Sequence, residues 1–322
     1  MRLGLNDVPK HSSPEEWAEI LANAGYRAAS FPVDYHAPVS VIDAYVKAAR
    51  ERDILIAEVG VWNSPNRPDE EGARCAQEAC EEQFRLADYV RAECCVNVSG
   101  AAGQIWYGCY AENYAPWLYD KNVTFLQKLC DRVKPEYTCY ALEPMQWMLP
   151  DSPKQYRKLL ADVDREHFAV HMDVVNFFKD PYTYTHKKEV IDEAFDLLGP
   201  YIRSCHVKDC ILEEGTTVTI REIQPGEGTM DLAAYFKRIE ETSADMPALL
   251  EHLTDMSFCL FPYFRCSNIF LSICWIPFRK VICYILFYSE NLQTILCKCD
   301  TVFEFFYHLV RSYDQMSLGN RK

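Results

Sequence analysis

The 322-residue chain is expected to fold as an α/β protein, a (β/α)8 TIM barrel occupying residues 1–256. Three observations lead there. Short apolar runs alternate with amphipathic stretches, the pattern of parallel βαβ units. Eight such runs fall within about 250 residues, the size of a barrel of this type. The first run is followed by Asn6-Asp7-Val8-Pro9, whereas a doubly wound sheet usually carries a glycine-rich phosphate loop at that point.

The predicted strands are residues 3–6, 28–33, 55–61, 94–98, 138–142, 168–172, 202–207 and 248–250. Each except the last leads into a helical stretch. In the first helix Ser13 is placed to cap, Pro14 occupies the first helical position and Glu16 completes a capping box. Trp17, Ile20, Leu21 and Ala24 then recur at helical spacing before Gly25 ends the helix. Ser152-Pro153-Lys154-Gln155 repeats the device ahead of Tyr156, Leu159, Leu160 and Val163. Leu232, Tyr235, Phe236 and Ile239 form another such stripe, and residues 215–228 read as a loop over one end of the barrel.

Composition changes abruptly near residue 256. Residues 1–256 hold 26 Lys and Arg against 43 Asp and Glu, while residues 257–322 hold 7 against 4. The later segment has no alanine and a single glycine, yet contains six of the 15 cysteines and nine of the 17 phenylalanines. Arg265, Arg279, Lys280, Pro262 and Pro277 cut it into pieces shorter than the about 20 apolar residues of a membrane helix. The reading is an atypical tail, not native to the barrel, that leaves the eighth helix missing or imperfectly replaced by residues 302–311. Such a segment exposes β-prone apolar windows and favours aggregation.

The net charge of −14 argues against nucleic acid as a partner, since backbone binding needs a basic face. The first residues lack the apolar core of a signal peptide. Nine cysteines are scattered through residues 1–256 without zinc-type pairs. They read as reduced, mostly buried thiols of a cytoplasmic protein. A homo-oligomer is compatible with all of this.

In such a barrel the site lies at the C-terminal ends of the strands. Strand five ends in Leu142-Glu143-Pro144, strand six in His171-Met172-Asp173, strand seven in His206-Val207-Lys208-Asp209 and strand eight in Leu250-Glu251-His252. Glu143, Asp173, His206 and Glu251 are separated by 30, 33 and 45 residues, so four consecutive strands would carry them at equivalent heights. Three carboxylates and an imidazole suit one divalent cation of the Mn, Co, Mg or Zn kind.

These motifs, with Trp147-Met148, Pro150-Asp151-Ser152-Pro153, Asn176, Glu222 and Gly226-Glu227-Gly228, resemble the xylose-isomerase-like sugar isomerase/epimerase superfamily. That group includes ketose 3-epimerases, hydroxypyruvate isomerase and inosose dehydratase. The resemblance covers residues 1–256. It implies that Glu143, Asp173, His206 and Glu251 bind one divalent metal, with Glu143 and Glu251 as the acid/base pair. The implied activity is a metal-dependent isomerisation or epimerisation of a sugar or sugar phosphate through an enediolate. Moving a proton beside a carbonyl needs a base on one face and a Lewis acid on the oxygens. An inosose-dehydratase-like lyase on the same scaffold, or an inactive truncated or frameshifted barrel, is the alternative. Candidate substrate contacts are Glu58, Trp147, His171, Asn176, Lys208, Asp209 and Glu222. Asp34, His36, Asn97, Trp62 and Trp106 are softer candidates for the pocket wall.

Overall fold

The computed structural model of the protein describes residues 1–213 and 215–251. The expected eighth helix and the tail at 257–322 lie outside the described residues.

Ten strands are described: β1 (Arg2–Leu5), β2 (Ala28–Ser30), β3 (Leu55–Gly60), β4 (Cys94–Asn97), β5 (Cys139–Leu142), β6 (Phe168–Met172), β7 (Ile202–Val207), β8 (Asp209–Glu213), β9 (Thr219–Ile223) and β10 (Pro247–Leu250). The helices are α1 (Pro14–Asn23), α2 (Val39–Glu51), α3 (Glu70–Val90), α4 (Pro116–Val133), α5 (Pro153–Val163), α6 (Pro181–Thr185), α7 (Lys187–Leu198) and α8 (Leu232–Thr242). Strands β1 to β7 and β10 form a closed barrel in which every neighbouring pair is parallel, and β10 closes it against β1. No described helix is long and apolar enough to cross a membrane.

The sequence reading places all eight barrel strands, with small shifts at their ends. β2 stops at Ser30, before the expected residue 33. Phe31 still donates its N–H to Glu58 O at 2.8 Å, but Pro32 has no N–H to continue the ladder. Ser13 and Ser152 do cap α1 and α5. The return bonds of both expected capping boxes reach one residue further back, however. Glu16 accepts from Ser12 N, and Gln155 Oε1 accepts from Asp151 N.

The expected loop at 215–228 is partly an antiparallel hairpin, β8 against β9, with Cys210 opposite Glu222. Asp209 anchors its return. One of its carboxylate oxygens accepts from the N–H of Cys210 and Met230, the other from the N–H of Gly226 and Gly228. Gly228 is required at this point, because a Cβ there would lie 2.1 Å from Asp209 Oδ1.

The helices grip the barrel through buried tyrosines as well as apolar contacts. Tyr156 of α5 donates to Leu142 O at 2.6 Å and accepts from Leu142 N at 3.0 Å, one residue before Glu143. Tyr235 of α8 donates to His206 O at 2.9 Å. Both rings are fully buried. The nine described cysteines are all unpaired, and seven are buried.

Removing the Tyr156 hydroxyl would delete its buried contacts with Leu142 N, Leu142 O and Ala169 O between β5 and β6. Tyr156→Phe is therefore expected to lower stability by about 1–3 kcal/mol, measured as a reduced urea midpoint with an unchanged slope.

Candidate metal centre

The barrel brings together side chains that are remote in sequence. Glu143 N–H donates to Asn97 O at 2.8 Å, and Glu251 N–H donates to Val207 O at 3.3 Å. Both residues thus prolong the ladder just past β5 and β10. Asp173 follows β6, and its Oδ1 accepts from Val175 N at 3.0 Å. Strand periodicity places His171 and Asp173 on one side of β6, and Ser204, His206 and Lys208 on one side of β7. One ligand-capable atom from each of Glu143, Asp173, His206 and Glu251 lies within 4.8 Å of the others, and all four residues are buried.

Two asparagines orient the carboxylates. Asn176 Nδ2 donates to Glu143 Oε1 at 2.9 Å and to Asp173 Oδ2 at 3.2 Å. Asn6 Nδ2 donates to Glu251 Oε1 at 3.0 Å. Asn6 is absent from the sequence-derived candidates. Its only signal there is its position just past the first strand, at the height of the other strand ends.

Lys208 projects into the same cage. Its Nζ lies 2.8 Å from Glu251 Oε2, 3.0 Å from Asp173 Oδ2, 3.3 Å from Glu143 Oε1 and 3.8 Å from Glu222 Oε2. The ammonium is only 7% exposed as a side chain, and the surrounding carboxylates hold its pKa well above the usual lysine range against the effect of burial.

On the interior side, Glu58 sits 3.3 Å from His206 Nε2 and 3.4 Å from His171 Nδ1. The two imidazole rings meet edge to face, with centroids 4.1 Å apart. The ionisation of this group follows its geometry. Burial opposes ionisation of Glu58, but His206 and His171 hold its pKa below the ordinary carboxylate value. Glu251, Glu58 and Glu143 raise His206 well above the ordinary histidine value, despite burial. Burial, reinforced by His206, pushes His171 down to about 3. Asp173 is pushed up to about 6, mainly by burial, with Lys208 opposing and Glu143 and Glu251 contributing.

The remaining candidates occupy varied positions. Trp147 lies in the loop after β5 and donates Nε1–H to Tyr107 O at 2.8 Å. It packs with Trp62, Trp106, Tyr110 and Met145 around Val98, Ala101 and Met148. Glu222 stands on β9 and reaches the cage through Lys208. The Asp209 carboxylate is committed to four backbone amides, so its evident work is holding the hairpin. Asp34 and His36 are exposed and pair with each other at 3.3 Å. Asn97 bonds to Asn63 and Tyr140.

The donor set fits a divalent cation. His206 Nδ1 lies 3.2 Å from Glu251 Oε2 and 3.6 Å from Glu143 Oε1 without a well-aligned hydrogen bond, and Glu251 Oε2 is ion-paired with Lys208 Nζ at 2.8 Å. Both point toward the acidic cage. A cation held by the two Glu, the Asp and the His would satisfy these atoms and offset the crowding of three carboxylates.

The architecture and the strand-end cluster define a (β/α)8 barrel protein whose polar centre sits at the C-terminal mouth. The chain belongs to the xylose isomerase-like TIM barrel family, whose model matches residues 18–256. No curated protein matches the sequence. Solved structures share the fold. The probable 3-DHS dehydratase AsbF of petrobactin synthesis from Bacillus anthracis is 14% identical, covering 82% of this chain and 97% of its own, with a TM-score of 0.63. A xylose isomerase-like TIM barrel protein from Mycobacterium smegmatis, in complex with magnesium, is 16% identical, covering 83% and 95%, with a TM-score of 0.60. The 3-keto-D-glucoside 4-epimerase YcjR from E. coli is 15% identical, covering 83% and 100%, with a TM-score of 0.60.

Two outcomes are expected from the cage. Lys208→Met removes a positive charge that competes with an incoming cation, so Mn2+ should bind about tenfold more tightly, read by calorimetric titration. The second concerns acid stability. The folded pKa of His171, about 3, lies below its ordinary 6.5, so between these values the unfolded chain binds a proton that the folded chain refuses. Metal-free protein should therefore lose stability as pH falls through this window, by up to about 1.4 kcal/mol per pH unit from this residue. Asp173, raised from 3.8 to about 6, works in the opposite sense between those two values. Urea unfolding of wild type and His171→Asn across the range isolates the histidine, and the variant should show the smaller loss on acidification.

Proposed function

We propose that the protein is a divalent-metal-dependent isomerase or epimerase of a small sugar or sugar phosphate. The observation that carries this reading is the buried convergence of Glu143, Asp173, His206 and Glu251 from four strand ends, with ligand-capable atoms of all four within 4.8 Å of one another. Family membership supports an enzyme of the sugar isomerase/epimerase type.

Glu143, Asp173, His206 and Glu251 are the residues that would hold the ion, of the Mn, Co, Mg or Zn kind. When bound, the ion would supply Lewis acidity to the carbonyl and hydroxyl oxygens of the substrate. The protein's own groups handle the proton. Glu143 and Glu251 are held below the ordinary carboxylate pKa, against burial, by Lys208 and His206 for Glu143 and chiefly by His206 for Glu251. Both are thus ionised and able to accept a proton from the carbon beside a carbonyl. Removal by one and return by the other, on opposite faces of the substrate, inverts that carbon. Removal and return by a single group on one face moves the carbonyl instead. Asn176 and Asn6 each occupy one oxygen of these carboxylates, which fixes the direction of the other oxygen. The loop tryptophans Trp62, Trp106 and Trp147 offer aromatic faces for the apolar side of a sugar ring.

The test is metal content after dialysis, followed by a ketose panel in heavy water. Wild type should retain about one ion per chain and introduce deuterium from solvent at the carbon beside the carbonyl. Glu143→Gln and Glu251→Gln should each lose at least about 10²-fold in rate. Well-folded protein without metal and without exchange would overturn the proposal. Exchange accompanied by a product lacking the elements of water would assign the chain to a dehydratase, which begins with the same proton removal.

A further inference from the structure

Glu58 lies in the middle of β3, and no part of it reaches solvent. A carboxylate is seldom buried so completely unless it is paired. Its partners here are specific. Oε1 is 3.3 Å from His206 Nε2, and Oε2 is 3.4 Å from His171 Nδ1 and 3.5 Å from Ser204 Oγ. The other ring nitrogen of His206, Nδ1, faces the cage, 3.2 Å from Glu251 Oε2 and 3.6 Å from Glu143 Oε1. The His206 ring is therefore clamped between one interior carboxylate and the ligand cluster.

A neutral imidazole offers a lone pair at one nitrogen and keeps its proton at the other. The partner of the protonated nitrogen decides which is which. Glu58 can only accept, so it holds the proton at Nε2, and when a cation binds it is the Nδ1 proton, on the edge facing Glu143 and Glu251, that the ring gives up. We propose that Glu58 is a positioning residue of the metal centre, fixing His206 as an Nδ1 ligand while remaining outside the ligand set. The inference rests on the metal-dependent reading above and adds a residue to it. Glu58 acts through His206, not on a substrate. His171 packs edge-on against the His206 ring and limits its rotation from the side.

A competing arrangement uses the same atoms differently. Ligand atoms of Glu58, His171 and His206 also lie within 4.8 Å of one another, so a second ion could share His206 with the first. That requires both protons to leave the His206 ring, in a pocket where Glu58, His171 and His206 have no solvent exposure. The single-proton arrangement asks for less.

The experiment uses the full chain stripped of metal. Mn2+ is titrated calorimetrically into wild type and Glu58→Gln, which keeps the shape and removes the charge. Separately, 15N-labelled wild type is loaded with 113Cd2+ for NMR. Wild type should bind one ion, and Glu58→Gln should bind one ion about 10- to 100-fold more weakly. The cadmium should couple to a histidine Nδ1 whose Nε2 retains its proton, and in labelled Glu58→Gln, where a neutral amide replaces the carboxylate acceptor, that Nε2 proton should move upfield, a change that a purely structural role for Glu58 would not produce. Equal affinity in the variant, cadmium coupling at Nε2, or two ions in wild type falling to one in the variant would each overturn the proposal. If Glu58→Gln does not fold, the wild-type cadmium spectrum still decides. Wild type that binds no ion overturns the metal-dependent reading itself and this inference with it. Every other failure occurs in a protein that does bind one.

Discussion

Mutual repulsion among buried carboxylates is the constraint around which this barrel is organised. Glu58, Glu143, Asp173 and Glu251 lie in or at the mouth of one parallel barrel, each less than one-tenth exposed. Isolated anions in such a place would be neutralised or expelled. Two cationic side chains answer them: Lys208 reaches Glu143, Asp173 and Glu251, and His206 faces Glu58 on one edge and Glu143 and Glu251 on the other. The rest of the site is an elaboration of this balance. Asn176 and Asn6 occupy single carboxylate oxygens, and burial, with Glu143 and Glu251 adding to it, leaves Asp173 with a raised pKa.

The scaffold supplies the rigidity that the arrangement needs. Parallel strands closed into a barrel place consecutive strand ends side by side without depending on loop conformation. Tyrosines from the outer helices then tie down the backbone beside the clustered side chains, Tyr156 at Leu142 and Tyr235 at His206. Asp209 performs the same service for the hairpin that brings Glu222 toward Lys208. A cluster assembled from four separate strands is as accurate as the strand register, and these buried polar ties hold that register. The interior carboxylate at Glu58 extends the principle to one side chain, the His206 ring.

Position in the sequence and role in the site are related through the strand period. A residue two places along a strand lies on the same side, closer to or further from the mouth. His171 and Asp173 illustrate the consequence. Asp173 sits among the cage residues, whereas His171 lies beside Glu58, with its pKa lowered by burial and by His206. Glu58 and His206 contact each other although 148 residues separate them. Reading Glu58 as a pocket residue from its strand alone captures its inward direction and misses its depth.

Eight barrel strands, the first seven each leading into a helical stretch, and four acid or imidazole strand ends spaced by roughly one repeat each were determined by the sequence alone. Apolar periodicity and capping chemistry are local properties, and a closed parallel barrel converts repeat spacing directly into adjacency. Only the tertiary structure decided the rest. It turned a glycine-punctuated stretch into the β8–β9 hairpin, because the backbone amides of Gly226, Gly228 and Met230 converge on Asp209. It set Lys208 inside the cage, against Glu251, and it recruited Asn6 to the same carboxylate. It also faced Glu58 toward the far edge of the His206 ring. Each of these depends on depth and direction within the barrel, which arise from strand register and closure across the whole chain, and no local pattern of residues encodes them.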